Sequence, residues 1–129
     1  MNKIIVEVSI GELLDKISIL EIKQEKIKDP EKLKFINNEH SILKTQLEKN
    51  VKTDDSLSKL YQSLKEVNAK LWVIEDDKRE CEKNKDFGKN FIELARKVYL
   101  TNDKRSKVKS KINEVLGSNI KEIKHYEDY

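Results

Sequence analysis

Apolar side chains recur at alternating steps of three and four residues along most of this chain, a spacing that predicts amphipathic helices. A first helix is predicted from residue 10 to about residue 28. Ser9 and Glu12 have the spacing of a capping box at its start, and Asp29-Pro30 suits the cap and first turn of the next helix. The apolar stripe of this first helix consists of Ile10, Leu13, Leu14, Ile17, Leu20 and Ile27.

Three more helices follow from the same periodicity. The second carries Leu33, Ile36, His40, Leu43 and Leu47, and Asp54 or Asp55 is expected to cap the third. The third keeps a period of 3.5 residues, typical of a coiled-coil seam, through Leu57, Leu60, Leu64, Val67, Leu71, Ile74, Lys78 and Cys81. The fourth follows a turn near Gly88 and should end at Gly117, where glycine suits a left-handed cap.

The stripes also predict which helices face each other. A turn near residues 51–53 places Leu47 opposite Leu57 and His40 opposite Leu64, and a turn near residues 87–88 places Cys81 opposite Leu94. We therefore predict an all-α fold, an antiparallel bundle of three to four long helices with a coiled-coil-like hairpin. Residues 3–8 are rich in β-branched side chains and predict a short strand, to which residues 120–126 could pair.

Composition agrees with one helical domain over residues 1–129. Charged residues make up 40% of the chain, but 27 basic and 24 acidic residues are interspersed, which is typical of solvated helices and argues against a nucleic-acid interface. The chain offers neither an apolar run that could span a membrane nor a signal-peptide pattern. With Cys81 as the single cysteine, a cytoplasmic location is expected. His40, His125 and Cys81 are too far apart in the predicted register for a zinc site, so no metal and no cofactor is predicted.

One interruption of the seam suggests a site. Thr101, Asn102 and Arg105 fill stripe positions in the middle of the fourth helix, and the chain's three arginines, Arg79, Arg96 and Arg105, all fall in the last two long helices. Lysine suffices for generic surface charge, so an arginine can indicate a position that needs the guanidinium group, a planar fork of N–H donors that binds carboxylate or phosphate. Helical spacing gives this ligand-binding candidate set: Trp72, Glu75, Asp76, Arg79, Arg96, Tyr99, Asn102, Asp103 and Arg105.

These residues admit three interpretations. They could form salt bridges that fix the register of the two helices, with Arg105 neutralised by Glu75 or by an acid of the first helix. They could hold a small anionic ligand between Arg96 and Arg105, walled by aromatic rings. They could also be an anchor for a protein partner, because Trp, Tyr and Arg are favoured in such interfaces.

The first helix carries a secondary cluster, Glu12, Asp15 and Lys16. A carboxylate pair at i, i+3 can do acid–base work, but acidic residues also decorate helix starts because of the helix dipole.

Long motifs resemble a bacterial family of unknown function, whose genes are sometimes met near polysaccharide-biosynthesis genes or in phages. The motifs are GELLDKISILEIK at residues 11–23, LWxxEDxxR at residues 71–79 and FIxLARxVYxxNDxR at residues 91–105. The resemblance covers nearly the whole chain but implies no activity. The chain more weakly resembles all-helical chorismate mutases, but its first helix lacks the arginine that theirs requires. It also resembles all-helical nucleotide pyrophosphohydrolases, but it lacks the second acidic pair that they need.

The sequence thus favours a self-associating helical interaction or regulatory protein, a homo-oligomer with unpartnered apolar side chains at Tyr61, Ile92 and Leu100. The alternative is a small all-α enzyme or binding protein for an anionic metabolite at the Arg/Trp/Tyr site between the last two long helices. Whether the protein is an enzyme stays open at this point.

Overall fold

The computed structural model describes residues 2–129 and contains four helices: α1 Ile10–Lys26, α2 Pro30–Asn50, α3 Asp55–Lys83 and α4 Lys89–Leu116. The all-α bundle predicted from the periodicity is confirmed. Within the described residues no strand forms, so the predicted strands at residues 3–8 and 120–126 are wrong. No backbone hydrogen bond joins these two described segments, and a strand without a hydrogen-bonded neighbour leaves its backbone polar groups unpaired.

Local capping determines where the helices begin and end. Ser9 accepts a hydrogen bond from the backbone N–H of Glu12 at 3.1 Å, Asp29 caps α2 ahead of Pro30, and Asp54 accepts from the N–H of Leu57 at 2.8 Å. At the end of α4, Gly117 adopts the left-handed conformation with φ +64°. The reciprocal half of the capping box is absent, because the Glu12 carboxylate binds Lys109 instead.

The arrangement of α2 differs from the predicted register. α3 and α4 form a long antiparallel hairpin, and α1 packs against α2, α3 and α4. α2 lies along α1 and approaches α3 only near their connection, where Leu47 and Leu57 belong to the same core cluster. The predicted pairing of His40 with Leu64 is therefore wrong, since His40 bonds to Glu21 of α1 at 2.9 Å.

The core lies where α1 crosses the inner half of the hairpin. Its fully enclosed members include Ile17, Leu64 and Ile112, one from each of α1, α3 and α4. Apolar burial is non-directional, so α2's stripe fits either α1 or α3. The connections of α2 to α1 (residues 27–29) and to α3 (residues 51–54) are similarly short, and the hydrogen bond between His40 and Glu21 accompanies its packing on α1.

Farther along the hairpin, residues 76–100 depart from this packing. Only Cys81 and Leu94 are buried there, and the hydrogen bonds of residues 80–100 all remain inside the hairpin. We call this segment the outer hairpin. No helix in the described part of the chain is long and apolar enough to cross a membrane.

Candidate functional site

A buried carboxylate joins α1 to the hairpin. The Asp15 side chain is 2% exposed, and the guanidinium of Arg105 on α4 binds both of its oxygens, Nε at 3.0 Å from Oδ1 and Nη2 at Oδ2. These bonds raise the pKa of Arg105 above its ordinary value, against the opposing effect of burial. The planar fork is thus used, as the preference for arginine suggested, but on a carboxylate of the protein itself.

Two buried polar side chains complete the surroundings of Asp15. The Asn68 amide on α3 donates to Asp15 Oδ1 and to Ser18 Oγ, each at 2.8 Å, and the Ser18 hydroxyl donates to the Asp15 backbone carbonyl at 2.8 Å. Within residues 2–129 no buried side-chain nitrogen or oxygen lacks a partner. Three helices therefore meet at a closed polar network, in which each group offsets its own desolvation by hydrogen bonding.

Lys109 forms the second half of this network, one helical turn beyond Arg105. Its Nζ lies 2.7 Å from Glu12 Oε2, 3.1 Å from Glu122 Oε2 and 3.8 Å from Asp15 Oδ2. Burial disfavours the charged amine, but the hydrogen bonds to Glu12 and Glu122 outweigh it and raise the pKa of Lys109. Lys109 thus ties α4 both to α1 and to the C-terminal tail, residues 119–129.

The first turn of α1 is anchored to the end of α4. The N–H of Gly11 donates to Asn113 Oδ1 at 2.7 Å, and the N–H of Ile10 donates to Ser118 Oγ at 3.3 Å. A Cβ at Gly11 would stand 2.6 Å from the carbonyl oxygen of Lys109, so glycine permits this close approach of two helices. The anchoring places Glu12 and Asp15 opposite Lys109 and Arg105.

Two clefts flank Arg105. The polar cleft has a volume of about 450 Å³, and the C-terminal tail forms one wall of it. Most of its charged side chains are paired within the protein, as Glu122 bridges Lys109 and Lys124. Hydrogen bonds from these two lysines, of which the bond from Lys124 has the larger effect, lower the pKa of Glu122 to about 2. The lining residues are Glu12, Asn102, Asp103, Arg105, Ser106, Lys109, Glu122, Lys124 and Tyr126.

The other cleft, which we call the Trp72 cleft, has a volume of about 310 Å³ and lies between α1 and α3. Its apolar side chains are Ile19, Ile22, Leu71 and Trp72; its polar ones are Asn68, Glu75, Asp76, Arg79 and Arg105. Within the described chain, Arg79 and Asp76 take part in no ion pair, whereas Glu75 pairs with Lys78 at 3.6 Å. The cleft therefore joins an apolar wall to unpaired charges of both signs.

The remaining candidate residues lie on the outer face of α4, away from both α1 and α3. Arg96 pairs with Glu93 at 3.4 Å, and its contacts with Tyr99 and Glu93 raise the pKa of its guanidinium. Tyr99 packs edge-on against Tyr129 of the tail at 5.4 Å between ring centroids, and the Tyr129 hydroxyl bonds to Asp103. This surface is exposed and holds no enclosed space.

The structure therefore divides the predicted site among three surfaces. Trp72, Glu75, Asp76 and Arg79 line the Trp72 cleft, Asn102 and Asp103 line the polar cleft, and Arg105 touches both. Arg96 and Tyr99 line neither, so the predicted pairing of Arg96 with Arg105 around one ligand does not occur. Arg96 and Arg105 are nine residues apart, and at about 100° of rotation per residue this spacing places them on opposite sides of α4.

In the secondary cluster, Glu12 and Asp15 meet the site but Lys16 does not. Lys16 is exposed and has no ion pair within residues 2–129, whereas Glu12 and Asp15 bind Lys109 and Arg105. That Arg105 is neutralised by an acid of the first helix is confirmed, and the acid is Asp15.

Sequence reasoning missed Asn68, Ser18, Lys109 and Glu122. Asn68 follows Leu64 by four residues and precedes Leu71 by three, so a polar residue beside the seam was a readable signal. Ser18 follows Asp15 by three residues on the same helix face. Lys109 and Glu122 gave no signal, because one lysine among 24 is not distinctive and the tail has no periodicity.

A separate polar group joins α1 to α2 and α3. Glu21 accepts from Tyr61 and from His40, and its pKa is lowered because these hydrogen bonds outweigh the opposing effect of burial. Burial and the Glu21 carboxylate both raise the pKa of Tyr61. Tyr61 was expected to lack an intrachain partner, and that expectation is wrong, since it also packs against the core.

Chemically, the Asp15 network is suited to holding helices together, since its donors and acceptors bind one another. Among residues 2–129 no cluster of three His, Cys, Asp or Glu side chains could hold a metal ion.

The model of one protein family, described as a family of unknown function (DUF6165), matches residues 4–129, so the chain belongs to that family. Neither the curated proteins nor the solved structures contain a match.

Proposed function

We propose that this member of the DUF6165 family is a self-associating helical interaction protein, in which the outer face of α4 binds the same face of a second copy. The observation that carries this is the exposure of large apolar side chains there. Ile92, Tyr99 and Leu100 are 54%, 44% and 40% exposed on a helix whose opposite side is already packed against α3. Clustered apolar side chains on a polar surface are typical of interaction sites.

Residue spacing supports a two-fold partner. Ile92, Arg96, Tyr99 and Asp103 follow one another at steps of four, three and four, so they form a single stripe with Leu100 beside it. If two α4 helices cross antiparallel about a point between residues 99 and 100, Tyr99 meets Leu100 of the second copy and Arg96 meets its Asp103. An isologous interface needs this kind of self-complementarity.

The existing contacts on this face are weak enough to be exchanged. The Arg96–Glu93 pair is about half exposed on both sides, and pairs of that kind contribute little to stability. Tyr129 shares the face, so a second copy would replace its contacts with Tyr99 and Asp103.

Sedimentation equilibrium of the full chain tests the proposal. We expect a monomer–dimer equilibrium that Arg96→Asp or Asp103→Arg each weakens by about tenfold, because each places like charges opposite one another. An equimolar mixture of the two variants should associate again. In the mixed dimer, the side chains at position 96 of one copy and position 103 of the other again carry opposite charges.

Two controls separate this interface from general effects. Val115→Lys changes an apolar side chain of similar exposure elsewhere on α4 and should leave association unchanged. Tyr129→Phe removes the hydrogen bond to Asp103 alone and should not weaken association. A chain that stays monomeric at millimolar concentration would contradict the proposal.

A second candidate function, binding of a small anionic metabolite, is favoured by the Trp72 cleft. Its volume of about 310 Å³ is at the lower end of the range for ligand sites, and an apolar wall beside a few polar groups is the usual arrangement there. The unpaired Arg79 could bind a carboxylate or phosphate while Trp72 contacts an apolar or aromatic part of the same molecule.

Thermal unfolding with phenyl phosphate and with benzoate tests this candidate. A ligand that binds only the native state raises Tm, so we expect a rise at millimolar ligand that Arg79→Gln abolishes. Arg96→Gln, an arginine outside the cleft, should keep the rise. Equal shifts in the two variants would show binding elsewhere and would count against the cleft.

A further inference from the structure

An apolar arm precedes α1 and is hardly packed against the rest of the molecule. Residues 2–8 have no regular secondary structure, and Ile4, Ile5 and Val6 are 88%, 83% and 68% exposed. Among the described residues, none exchanges a hydrogen bond with this arm. Consecutive β-branched side chains with unpaired backbone groups are typical of a β-strand that lacks a hydrogen-bonded neighbouring strand.

The arm is self-complementary when read in opposite directions. Centred on Ile5, an antiparallel pair of arms places Lys3 opposite Glu7 and Ile4 opposite Val6 of the second arm, with the two copies of Ile5 facing each other. Opposite charges and β-branched pairs at directly facing positions both stabilise an antiparallel ladder. Shifting the register by one residue loses the facing pairs of Lys3 with Glu7.

From this complementarity we propose that residues 2–8 of two copies of this chain pair as an antiparallel two-stranded ribbon centred on Ile5. The inference rests on the proposed self-association, to which it adds a second contact. A lone two-stranded ribbon is marginal in water, so this contact needs the α4 interface or another to accompany it.

The chain's own C-terminal tail is already engaged elsewhere. Glu122 binds Lys109 on α4, outside the stripe proposed for the α4 interface. The Ser118 hydroxyl, which also caps α1, donates to the Ile120 carbonyl at 2.9 Å. The tail is therefore not free to pair with the arm, and the arm of a second copy is the partner whose sequence is complementary.

Cysteine cross-linking tests the register. In a Cys81→Ser background, Ile5→Cys should form a disulfide-linked dimer under mild oxidation, because directly opposite residues stand about 4.5–5.5 Å apart between Cα atoms. Ile4→Cys and Val6→Cys should not cross-link alone but should cross-link when mixed. If Ile4→Cys alone links as completely as Ile5→Cys, the arms have no fixed register and the ribbon is overturned.

Charge exchange provides an independent readout by sedimentation equilibrium. Lys3→Glu and Glu7→Lys each place two like-charged pairs in the ribbon and should raise the dimer Kd about tenfold. The double variant, with both charges exchanged, should recover the original Kd. Lys16→Glu, a charge change on an exposed position of α1, is the control and should have no effect.

The two proposals fail differently. If the chain dimerises and α4 variants weaken it while the arm variants leave Kd and cross-linking unchanged, the ribbon is wrong and the α4 interface stands. If wild type remains monomeric and no Ile5→Cys dimer forms, both are wrong.

Discussion

Asp15 is the residue on which the position of α1 most depends. Its carboxylate binds Arg105 of α4, Asn68 of α3 and, at longer range, Lys109. A buried ion pair need not add stability over an apolar one, but removing one partner leaves a desolvated charge. The network therefore specifies how three helices meet.

Asp15→Asn should lower the free energy of unfolding by about 3 kcal/mol, the smaller end of the range for broken buried pairs, because Arg105 can turn partly toward water. Urea unfolding at neutral pH measures it. Lys78→Gln, which breaks a partly exposed pair with Glu75 outside the proposed α4 interface, should cause no measurable change. Equal losses in the two variants would contradict the structural role of Asp15.

Gly11→Ala should also destabilise the fold, although alanine favours helices. The new Cβ would lie 2.6 Å from the Lys109 carbonyl oxygen and 2.9 Å from Asn113 Oδ1, so α1 must move away from α4. Overpacking of this kind costs about 1–3 kcal/mol, which exceeds the gain in helix propensity of about 1 kcal/mol. Lys16→Ala, which places alanine at an exposed position of the same helix, is the control in the same urea unfolding measurement.

For single residues, the sequence pointed to Arg105 more readily than to the side chains that surround it. The three arginines among 27 basic residues were candidates for positions that need a planar fork, and Arg105 uses its fork on Asp15. Asn68 and Ser18 are ordinary residue types, and only the crossing of α1 over α3 brings them within 2.8 Å of each other.

At the level of elements, the C-terminal tail is held on α4 mainly by electrostatic contacts. Glu122 has a pKa lowered to about 2, first by Lys124 of the tail itself and then by Lys109 of α4, while an unfolded glutamate titrates near 4.5. The contribution of Lys109 is the part that depends on attachment of the tail. A carboxyl whose pKa is depressed in the folded state stabilises the contact above the ordinary value. This stabilisation is lost as the pH falls from about 4.5 toward about 2.

We therefore expect the tail to detach across that acidic range. The ring resonances of Tyr129, which packs on Tyr99 in the monomer, report detachment by NMR of dilute, monomeric samples. Glu122→Gln should release the tail already at neutral pH, whereas Glu127→Gln, a tail residue without a described ion pair, should not. Identical spectra for wild type and Glu122→Gln at neutral pH would contradict this.

α2 shows the limit of reasoning from one element. Its stripe and caps were readable, but its partner was not, because similarly spaced apolar residues also occur on α1 and α3. The hydrogen bond between His40 and Glu21 shows that α2 packs on α1 in the folded protein.

At the scale of the molecule, the single-domain prediction for residues 1–129 has a direct measurement. If one core holds all four helices, calorimetry should give a single transition whose calorimetric and van't Hoff enthalpies agree. Tm should rise with protein concentration, since a native dimer is favoured by mass action. Two resolved transitions would contradict one cooperative domain.

The sequence by itself determined that the chain is helical, where α1, α2 and α3 begin and where α4 ends. Ser9, Asp29, Asp54 and Gly117 act on backbone groups within a few residues, so their effect does not depend on the rest of the fold. Tertiary structure alone decided that α1 lies against three helices and that Asp15 is enclosed with Arg105. The two clefts also belong to tertiary structure, because residues up to about 100 positions apart meet there only once the helices have chosen their partners.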